Sequence, residues 1–382
     1  MNILVTGAAG FVGQNLRIRL SREKDCTVFP FDVANTESEL FEFLANADRI
    51  VHLAGINRPP NPSEFMAGNL GLTSTIADAL EKMQRPVPLI FSSSIQAELE
   101  NDYGKSKRAA EERLKLYSQR TGAPVRIFRF VNIFGKWCKP NYNSAVATFC
   151  FNVAHGLPLT IHDPEAPLRL VYIDDVADAI VRELTSELQG FSYANAEPVY
   201  ASTVGKVAAM IQDIHEKRQK GFIGDYSDSF YKKLATTYLS YVDIPSLATA
   251  PELKRDERGW LFELIKSEKA GQIFISTTKP GKKRGNHYHD TKVEKFCLIK
   301  GKARISLRKV DSSERYDLEV DEQNIQVVDI PPGYTHSIEV VFYPLYPVCI
   351  RVAGWLGVPT EIGSILVVRV ATFFLFWGLW RL

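Results

Sequence analysis

The sequence predicts an α/β domain built on a doubly wound parallel sheet, followed by a smaller all-β domain. Three observations support this prediction. A short apolar strand at residues 2–6 runs into a glycine-rich turn and an amphipathic helix. Strand-like and helical segments then alternate up to about residue 245, which is typical of βα units and a parallel sheet. After a linker of prolines and small residues at 244–251, short strands replace the helices.

Length and composition limit the classes of function. The chain has 382 residues, enough for two domains, with 45% hydrophobic and 24% charged residues as in ordinary globular proteins. Its formal net charge of +2 gives no basic surface that would indicate nucleic-acid binding. The five cysteines form no C-x-x-C pair, which indicates a reduced, cytoplasmic protein without disulfides. Because the first residues already read as a strand, we expect no signal peptide.

The glycine-rich turn after the first strand is a candidate dinucleotide site. Gly7, Gly10 and Gly13 follow the strand directly, with Phe11 and Val12 opening the helix. Glycines at this spacing allow a tight turn, let a pyrophosphate approach the backbone and let the helix pack on the strand. The N-terminus of the helix supplies N–H donors to the phosphates. Three glycines alone usually form only a turn, but the order strand, glycine loop, helix favours a cofactor site.

Two further segments are predicted to contact the dinucleotide. The second strand, residues 27–31, ends at Asp32. An acid at this position commonly binds the ribose hydroxyls of the adenosine and favours NAD over NADP, although it could equally cap the next helix. The third strand leads into Leu53, Ala54 and Gly55, a small-residue loop that could pass close to the cofactor.

Ser94, Tyr103 and Lys107 are the candidate catalytic residues. Tyr103 and Lys107 are four residues apart and therefore share one face of a helix, where we expect the lysine to lower the pKa of the tyrosine. Ser94, at the end of the preceding strand, could hold a carbonyl or alcohol oxygen opposite Tyr103, with Ser93 as the alternative serine. These groups suit proton transfer coupled to hydride transfer at a sugar carbon. Tyr-x-x-x-Lys alone is common on solvated helix faces.

Taken in order, these motifs resemble the extended short-chain dehydrogenase/reductase family over residues 1–245, which implies a Rossmann-type fold. The resemblance implies that Ser94, Tyr103 and Lys107 are catalytic and that Lys107 also contacts the cofactor. Dehydratases of the family carry Thr-Asp-Glu where this chain has Ser94-Ile95-Gln96. This difference favours reduction or epimerisation.

The segment 130–135 resembles the strand-to-loop region where this family reaches the diphosphate of a nucleotide sugar. The loop that follows, to residue 144, combines cations, amides and aromatics, which suit a phosphate, sugar hydroxyls and a uracil ring. It could also be an ordinary polar loop. Arg169 is offset by one position from the usual diphosphate arginine, and Asp174 and Asp175 are predicted to cap a helix. The substrate-binding candidates are Asn132, Lys136, Lys139 and Asn143.

The second domain contains a candidate metal site. His287 and His289 would point to the same face of a strand, so both imidazoles could bind one ion. Glu294 and His336 would complete a set of three nitrogens and one oxygen, suited to zinc or another divalent transition metal. A histidine pair alone is more often structural. The double histidine box resembles the cupin family, but the asparagine that usually follows the second box is absent.

A reductase domain followed by a cupin resembles a family of two-domain capsular polysaccharide enzymes over about residues 1–339. The resemblance implies a homodimer in which the cupin, 246–340, epimerises C3 of a UDP-2-acetamido-2,6-dideoxy-4-hexulose. The first domain, 1–245, would then reduce the C4 ketone with NADPH toward UDP-N-acetyl-L-fucosamine. Because Asp32 would repel a 2′-phosphate, NAD remains an alternative cofactor.

Two other functions remain open at this stage. The chain could be a single-activity nucleotide-sugar epimerase or reductase whose cupin only mediates dimerisation. It could also be a non-catalytic nucleotide-sugar binding protein, although Tyr103 and Lys107 argue against this.

The C-terminal residues, 341–382, do not continue the resemblance. Residues 362–379 are almost wholly apolar and could form a marginal membrane span. Arg369 near its centre would cost roughly 2.5–3.5 kcal/mol on insertion. We interpret this end as the product of an altered reading frame, which would leave the cupin barrel incomplete. A membrane segment is the alternative, and only in that case do we expect membrane contact.

Overall fold

The computed structural model describes residues 1–268, 271–290, 292–341 and 348–355. The chain divides into two compact units, residues 1–251 and the residues from 252 onward. The division falls at the end of the proline-containing segment that the sequence marks as a linker. Each unit is described separately below.

The first unit alternates strands and helices along most of its length. Its strands are β1 (Asn2–Thr6), β2 (Thr27–Phe31), β3 (Arg49–His52), β4 (Leu89–Ser94), β5 (Val125–Phe130), β6 (Asn132–Phe134), β7 (Pro167–Tyr172), β8 (Phe191–Ala194) and β9 (Val199–Thr203). Its helices are α1 (Phe11–Leu20), α2 (Glu37–Asn46), α3 (Glu64–Met66), α4 (Leu72–Lys82), α5 (Asp102–Thr121), α6 (Ala145–Ala154), α7 (Ile173–Thr185), α8 (Val204–Gln219) and α9 (Ser229–Leu239). A π-helical turn spans Ala67–Gly71, and 3₁₀ turns span Ile95–Glu98 and Ile244–Leu247.

The main sheet has six parallel strands in the order β2-β1-β3-β4-β5-β8. Strand β1 is apolar and fully buried at Ile3, Leu4 and Val5, because helices cover both faces of a parallel sheet. It lies between β2 and β3, so the strand order reverses at β1, with β2 on one side and β3 on the other. Ligands bind at such a point in open α/β sheets. The predicted doubly wound parallel sheet is confirmed.

Helix α5 is the longest helix of the first unit, and both of its ends are well defined. Its N-cap is Asn101, whose side chain accepts a hydrogen bond from the Gly104 N–H at 2.7 Å. It ends at Gly122, which adopts the left-handed conformation with φ 75°. A side chain at Gly104 would lie 2.1 Å from the Gln96 carbonyl oxygen, so glycine lets the start of α5 approach the 3₁₀ turn closely.

Asp174 and Asp175 do not cap α7 as the sequence suggested. The N-cap position is Tyr172, and both aspartates lie in the first helical turn. Their charges there are favourable at the positive end of the helix. They also pair with cations from other segments, Asp174 with Lys136 and Asp175 with Lys233 at 2.6 Å.

A smaller three-stranded sheet, β6-β7-β9, packs with α6, α8 and α9 around a separate apolar cluster. Phe134, Phe149 and Leu234 are among the buried members of this cluster. This part of the first unit supports the segments that follow β6.

The second unit consists of antiparallel strands. They are β10 (Lys254–Asp256), β11 (Gly259–Ser267), β12 (Gly271–Thr277), β13 (Lys283–His287), β14 (Lys292–Lys300), β15 (Lys302–Lys309), β16 (Arg315–Asp321), β17 (Val327–Ile330), β18 (Tyr334–Val340) and β19 (Val348–Trp355). They form one sheet in the order β10-β11-β12-β19-β14-β17 and another in the order β13-β18-β15-β16. Phe296, Leu298, Ile305 and Ile338 belong to a shared apolar cluster. The predicted all-β second domain is confirmed.

Strand β19 lies beyond residue 340, where the sequence-based reading placed the end of this domain. It pairs with β12 on one side and with β14 on the other, with Ile350 opposite both Ile275 and Cys297. The expectation of a barrel without further strands therefore missed β19. Pro344 and Pro347 precede it in the sequence and obscure its strand pattern.

The apolar stretch 362–379, for which we weighed an altered frame against a membrane segment, lies outside the described residues. Among the residues that are described, none of the helices is long and apolar enough to cross a membrane.

Candidate active site and metal centre

The loops after β1 and β3 touch backbone to backbone. Gly7 has φ +67°, and a side chain there would lie 2.8 Å from the Ala54 backbone nitrogen. A side chain at Gly13 would lie 2.1 Å from the Gly7 carbonyl oxygen, which is much shorter than a van der Waals contact. Glycine is therefore required at both positions, and the Leu53–Gly55 loop lies beside the glycine loop as expected for a cofactor site.

Asp32 lies at the end of β2 against the glycine loop. Its carboxylate accepts the Ala9 N–H at 2.7 Å and the Val33 N–H at 2.8 Å. The N-cap of the next helix is Thr36, so the capping alternative for Asp32 is wrong. A carboxylate at this place can reach the adenosine ribose and disfavours an added phosphate there.

Tyr103 is half-buried at the start of α5. Burial raises its pKa, and a hydrogen bond with the Ser94 side chain partly offsets the increase. Its ring lies 5.7 Å from that of Phe65, centroid to centroid. The expectation that Lys107 lowers this pKa is wrong, because the Lys107 ammonium donates to the Ser92 carbonyl at 2.9 Å. At neutral pH Tyr103 is therefore a protonated phenol, the form that can give up a proton.

Lys107 is only 4% exposed. Burial lowers its pKa to about 8, and the carboxylate of Glu111 opposes this decrease. The ammonium lies 4.9 Å from the centre of the Phe91 ring. A side chain at Gly55 would lie 3.0 Å from the Lys107 nitrogen, so the glycine leaves room for the lysine beside the loop.

The two candidate serines point in different directions, as successive residues of a strand do. Ser94 bonds to Tyr103, whereas the buried Ser93 hydroxyl donates to the Glu111 carboxylate. The geometry therefore favours Ser94 over Ser93 as the partner of Tyr103.

A cleft of about 340 Å³ lies at Tyr103. Its remaining lining residues are Asn57, Pro62, Phe65, Gln96, Asn101, Asp102 and Asn143. Asn143 also lines a larger cavity of about 620 Å³, together with Arg58, Tyr142 and His162 among others. The two spaces therefore share a wall formed by the loop that precedes α6.

The four predicted substrate residues have different surroundings. Asn143 lines both cavities, and the Lys139 ammonium lies 5.5 Å from the Tyr142 ring centre beside the larger one. Lys136 pairs with Asp174, and the Asn132 amide donates to the Arg169 carbonyl at 3.3 Å. Within the fully described first unit, Asn132, Lys136 and Lys139 line neither of these two cavities.

Several lining residues were not found from the sequence. Asn57 and Arg58 lie two and three residues after the predicted cofactor loop, so their position could have suggested them. Gln96 belonged to the segment compared with dehydratases but was not assigned a role. His162 carries no motif, and only the folding of β7 and α6 brings it to the larger cavity.

The predicted metal ligands of the second unit come together. One donor atom from each of His287, His289, Glu294 and His336 lies within 4.8 Å of all the others. The Glu294 carboxylate is 3.0 Å from His336 Nε2 and 3.4 Å from His289 Nε2. The rings of His287 and His336 are 4.8 Å apart, centroid to centroid.

The reason for this convergence differs from the predicted one. Strand β13 ends at His287, so His289 lies in the loop and not on the same strand face. The register shifts between Gly285 and His287, and Asn286 has φ 68°. This bulge, and not strand alternation, brings His287 and His289 to the cluster.

The donor set fits a divalent transition metal. Three imidazoles and one carboxylate are typical ligands of zinc and its neighbours. Glu294 and His336 are buried on β14 and β18, and His336 Nδ1 lies 3.4 Å from the Tyr334 carbonyl oxygen. A proton on Nδ1 in that contact leaves the lone pair of Nε2 facing the cluster.

Two protein-family models match the chain. The NAD dependent epimerase/dehydratase family matches residues 3–194. A polysaccharide biosynthesis C-terminal domain matches residues 254–343.

The chain is also similar to named proteins over most of its length. UDP-2-acetamido-2,6-beta-L-arabino-hexul-4-ose reductase of Pseudomonas aeruginosa is 40% identical over 338 residues, covering 88% of this chain and 91% of that protein. The crystal structure of the capsular polysaccharide assembling protein CapF from Staphylococcus aureus is 36% identical with a TM-score of 0.87, covering 94% of this chain and 98% of that chain. A crystal structure of CapF with the inhibitor 3-isopropenyl-tropolone is 33% identical with a TM-score of 0.82, covering 94% and 97%.

Proposed function

The chain belongs to the NAD dependent epimerase/dehydratase family, and we propose that it is a bifunctional enzyme acting on a UDP-linked sugar. The first unit reduces the C4 ketone of a UDP-2-acetamido-2,6-dideoxy-hexulose, and the second unit epimerises C3 of the same sugar. The observation that carries the proposal is the contact of Ser94 with Tyr103, which lines a cleft and lies one helical turn before the buried Lys107.

The residues of the first unit suit ketone reduction. A bound nicotinamide dinucleotide supplies the hydride. The Ser94 and Tyr103 hydroxyls would hold the ketone oxygen, and the Tyr103 O–H bond breaks as its proton passes to that oxygen. The Lys107 ammonium stabilises the phenolate that remains, which then regains a proton from solvent.

The dinucleotide would lie along the loops after β1 and β3. Gly7, Gly10 and Gly13 shape the turn, in which the Gly10 N–H donates to the Gly7 carbonyl, and Phe11 and Val12 at the start of α1 would direct backbone N–H groups to the pyrophosphate. We propose NADPH as the cofactor because of the similarity to the reductase family. NAD remains the alternative, since the charge of Asp32 lies beside the glycine loop.

The nucleotide sugar would extend from the cleft at Tyr103 into the larger cavity. Asn143 lines that cavity with an amide that suits sugar hydroxyls. Lys139, which contacts the lining residue Tyr142, would offer a cation to a phosphate. For Lys136 to reach a phosphate, it must leave its ion pair with Asp174. For Asn132 to bind the sugar, its amide must leave the Arg169 carbonyl.

The cluster of the second unit suits proton removal at C3. A divalent metal held there acts as a Lewis acid that stabilises an enolate next to the C4 ketone. His287, His289, Glu294 and His336 would hold it, with zinc as the first choice. The product would lie on the route to UDP-N-acetyl-L-fucosamine and surface polysaccharide. We also propose a cytoplasmic homodimer, which the resemblance implies.

One observation favours a structural second unit instead. The Lys292 ammonium lies 3.1 Å from Glu294 Oε1 and competes with a metal ion for that carboxylate. If this pair persists, the protein is a single-activity nucleotide-sugar reductase or epimerase.

The direct test is reduction by the purified chain. With UDP-2-acetamido-2,6-dideoxy-hexul-4-ose and NADPH or NADH, we expect loss of nicotinamide absorbance. The variant Tyr103→Phe should lose about 100-fold or more in rate while still binding the cofactor, because the phenol proton is gone. Binding is measured by cofactor fluorescence.

The matched control is Tyr117→Phe on the same helix. The Tyr117 hydroxyl donates to the Val87 carbonyl at 2.9 Å and lies away from the cleft. This change should cost about 1 kcal/mol of stability and leave the rate within a few-fold. A Tyr103→Phe enzyme that reduces the ketone near the wild-type rate would show that Tyr103 is not the proton donor.

A further inference from the structure

One face of α5 contacts the end of β4 at three successive points. Tyr103, Lys107 and Glu111 lie at four-residue intervals and therefore share this face. Tyr103 meets the Ser94 hydroxyl, the Lys107 ammonium donates to the Ser92 carbonyl, and the Ser93 hydroxyl donates to Glu111. The first two contacts hold the candidate catalytic groups, and the third has no assigned role.

Glu111 is a buried carboxylate, only 1% exposed. Such a charge is costly unless it is paired. Arg129 on β5 pairs with it through Nε at 3.0 Å and Nη2 at 2.6 Å, and the Tyr193 hydroxyl donates to it at 3.1 Å. These partners offset the cost of the charge in the interior, two helical turns beyond Tyr103.

The same network fixes the segment that joins Ser94 to Tyr103. Arg129 Nη1 donates to Glu98 at 2.8 Å, and Glu98 ends the 3₁₀ turn between β4 and α5. Glu111 therefore anchors the strand before this turn through Ser93, and Arg129 anchors the turn itself.

We propose that Glu111 is a positioning residue for the reduction: it fixes Ser93, and with it Ser92 and Ser94, and its charge keeps the Lys107 ammonium in place. This inference depends on the proposed reductase function of the first unit. Glu111 does not touch the cleft; it acts through the strand and through Lys107.

The electrostatic part of this proposal depends on the charged and titratable groups around the Lys107 ammonium. Glu111 on the same helix stabilises the ammonium, and His52 at the end of β3 faces it from the sheet. Burial holds His52 neutral, with a pKa of about 3, while it bonds Thr6 at 2.6 Å and Thr73 at 2.9 Å. Tyr103, one turn before Lys107, is a neutral phenol. Glu111 is thus the charged group that supports Lys107.

Four variants separate positioning from ordinary stabilisation. Glu111→Gln keeps the shape and an acceptor for Ser93 but removes the charge. We expect the alkaline loss of kcat to move down by about half a pH unit or more. Glu111→Gln combined with Arg129→Met removes the unpaired cation as well, so thermal stability should recover in part while a smaller downward pH shift remains. Ser93→Ala should lower kcat about 10-fold with the KM for NADPH unchanged. Tyr117→Phe should lower Tm without either kinetic effect.

A second readout does not depend on reduction. In cofactor-free protein, a ¹³C NMR titration of the Lys107 side chain, assigned through its loss in Lys107→Met, should show the same downward shift in Glu111→Gln. An unchanged titration in that variant would overturn the inference. A wild-type protein that fails to reduce the 4-keto sugar would instead contradict the proposed function, and the titration would still decide the role of Glu111.

Discussion

The ammonium of Lys107 lies in surroundings that penalise its charge. It is buried beside Phe91, donates to a backbone carbonyl, and depends on Glu111 for electrostatic support. Tyr103, one turn earlier, is also shielded from water and stays protonated. In the proposed reduction the two residues would divide the work: Tyr103 would give the proton, and Lys107 would stabilise the charge left behind.

This arrangement makes a prediction about pH. The pKa of Lys107 is lowered to about 8, so its charge, and with it the reduction rate, should fall as pH rises through about 8. In the unfolded chain the pKa of this lysine is 10.5. Between about pH 8 and pH 10.5 the unfolded chain therefore binds more protons than the folded one. The free energy of unfolding should therefore receive a contribution that rises with pH in the same window.

Steady-state kinetics and urea unfolding across this pH range check both effects. Lys107→Met is the control, because it should remove the rising contribution to stability. A reduction rate that stays constant up to pH 10 would contradict the assigned role of Lys107.

Asp32 provides a prediction about cofactor choice. Asp32→Asn keeps an acceptor for the Ala9 N–H but removes the charge that repels a 2′-phosphate. The ratio of kcat/KM for NADPH to that for NADH should rise by about 10-fold, which is the effect of one close charge of about 1.4 kcal/mol. Strong NADPH selectivity that is identical in both proteins would show that Asp32 has no part in the choice.

The residue types and their order could be predicted from the sequence, but their environments could not. Tyr103 and Lys107 share a helix face because of their spacing alone. Whether the pKa of Tyr103 rises or falls depends on its burial beside Phe65. It also depends on which group accepts the Lys107 ammonium, here the Ser92 carbonyl. These contacts join segments far apart in the chain, so spacing carries no information about them.

The crevice between β1 and β3 is the main element-scale feature of the first unit. Two glycines, Gly7 and Gly13, let β1, α1 and the loop after β3 approach within backbone contact. The sequence predicted this because the need for a tight turn restricts the residue type. The bulge at Asn286 and strand β19 were missed, since neither follows the alternation that marks a regular strand.

Gly13→Ala tests this packing. The added side chain would lie 2.1 Å from the Gly7 carbonyl oxygen, so α1 must move away from the loop. We expect affinity for NAD(P)H to fall about 10-fold or more, measured by fluorescence titration.

Gly122→Ala is the control, because its added side chain meets nothing within 4 Å and only the φ of 75° is strained. That change should cost about 1 kcal/mol and leave affinity intact. Equal cofactor affinity in both variants would mean that the glycine loop does not bind the dinucleotide.

The whole molecule combines two chemistries in separately folded units. The first has the proposed proton donor, Tyr103, and the crevice proposed for a hydride carrier, and the second has the cluster of four potential metal ligands. The cluster could be predicted because its ligand types and order are distinctive. Whether it catalyses a reaction depends on the competition between a metal ion and Lys292 for Glu294, which no spacing pattern reveals.

Isotope incorporation into the product tests the two-reaction proposal most directly. The purified chain is given the 4-keto UDP-sugar in D₂O with NADPH deuterated at both C4 positions of the nicotinamide, and the product is examined by NMR. We expect deuterium at C4 of the sugar from the cofactor and at C3 from solvent. In His336→Ala, deuterium should persist at C4 and disappear from C3, because the buried ligand is lost while Tyr103 is untouched. A wild-type product without deuterium at C4 would contradict the reductase, and one labelled at C4 but not at C3 would show that the second unit is structural.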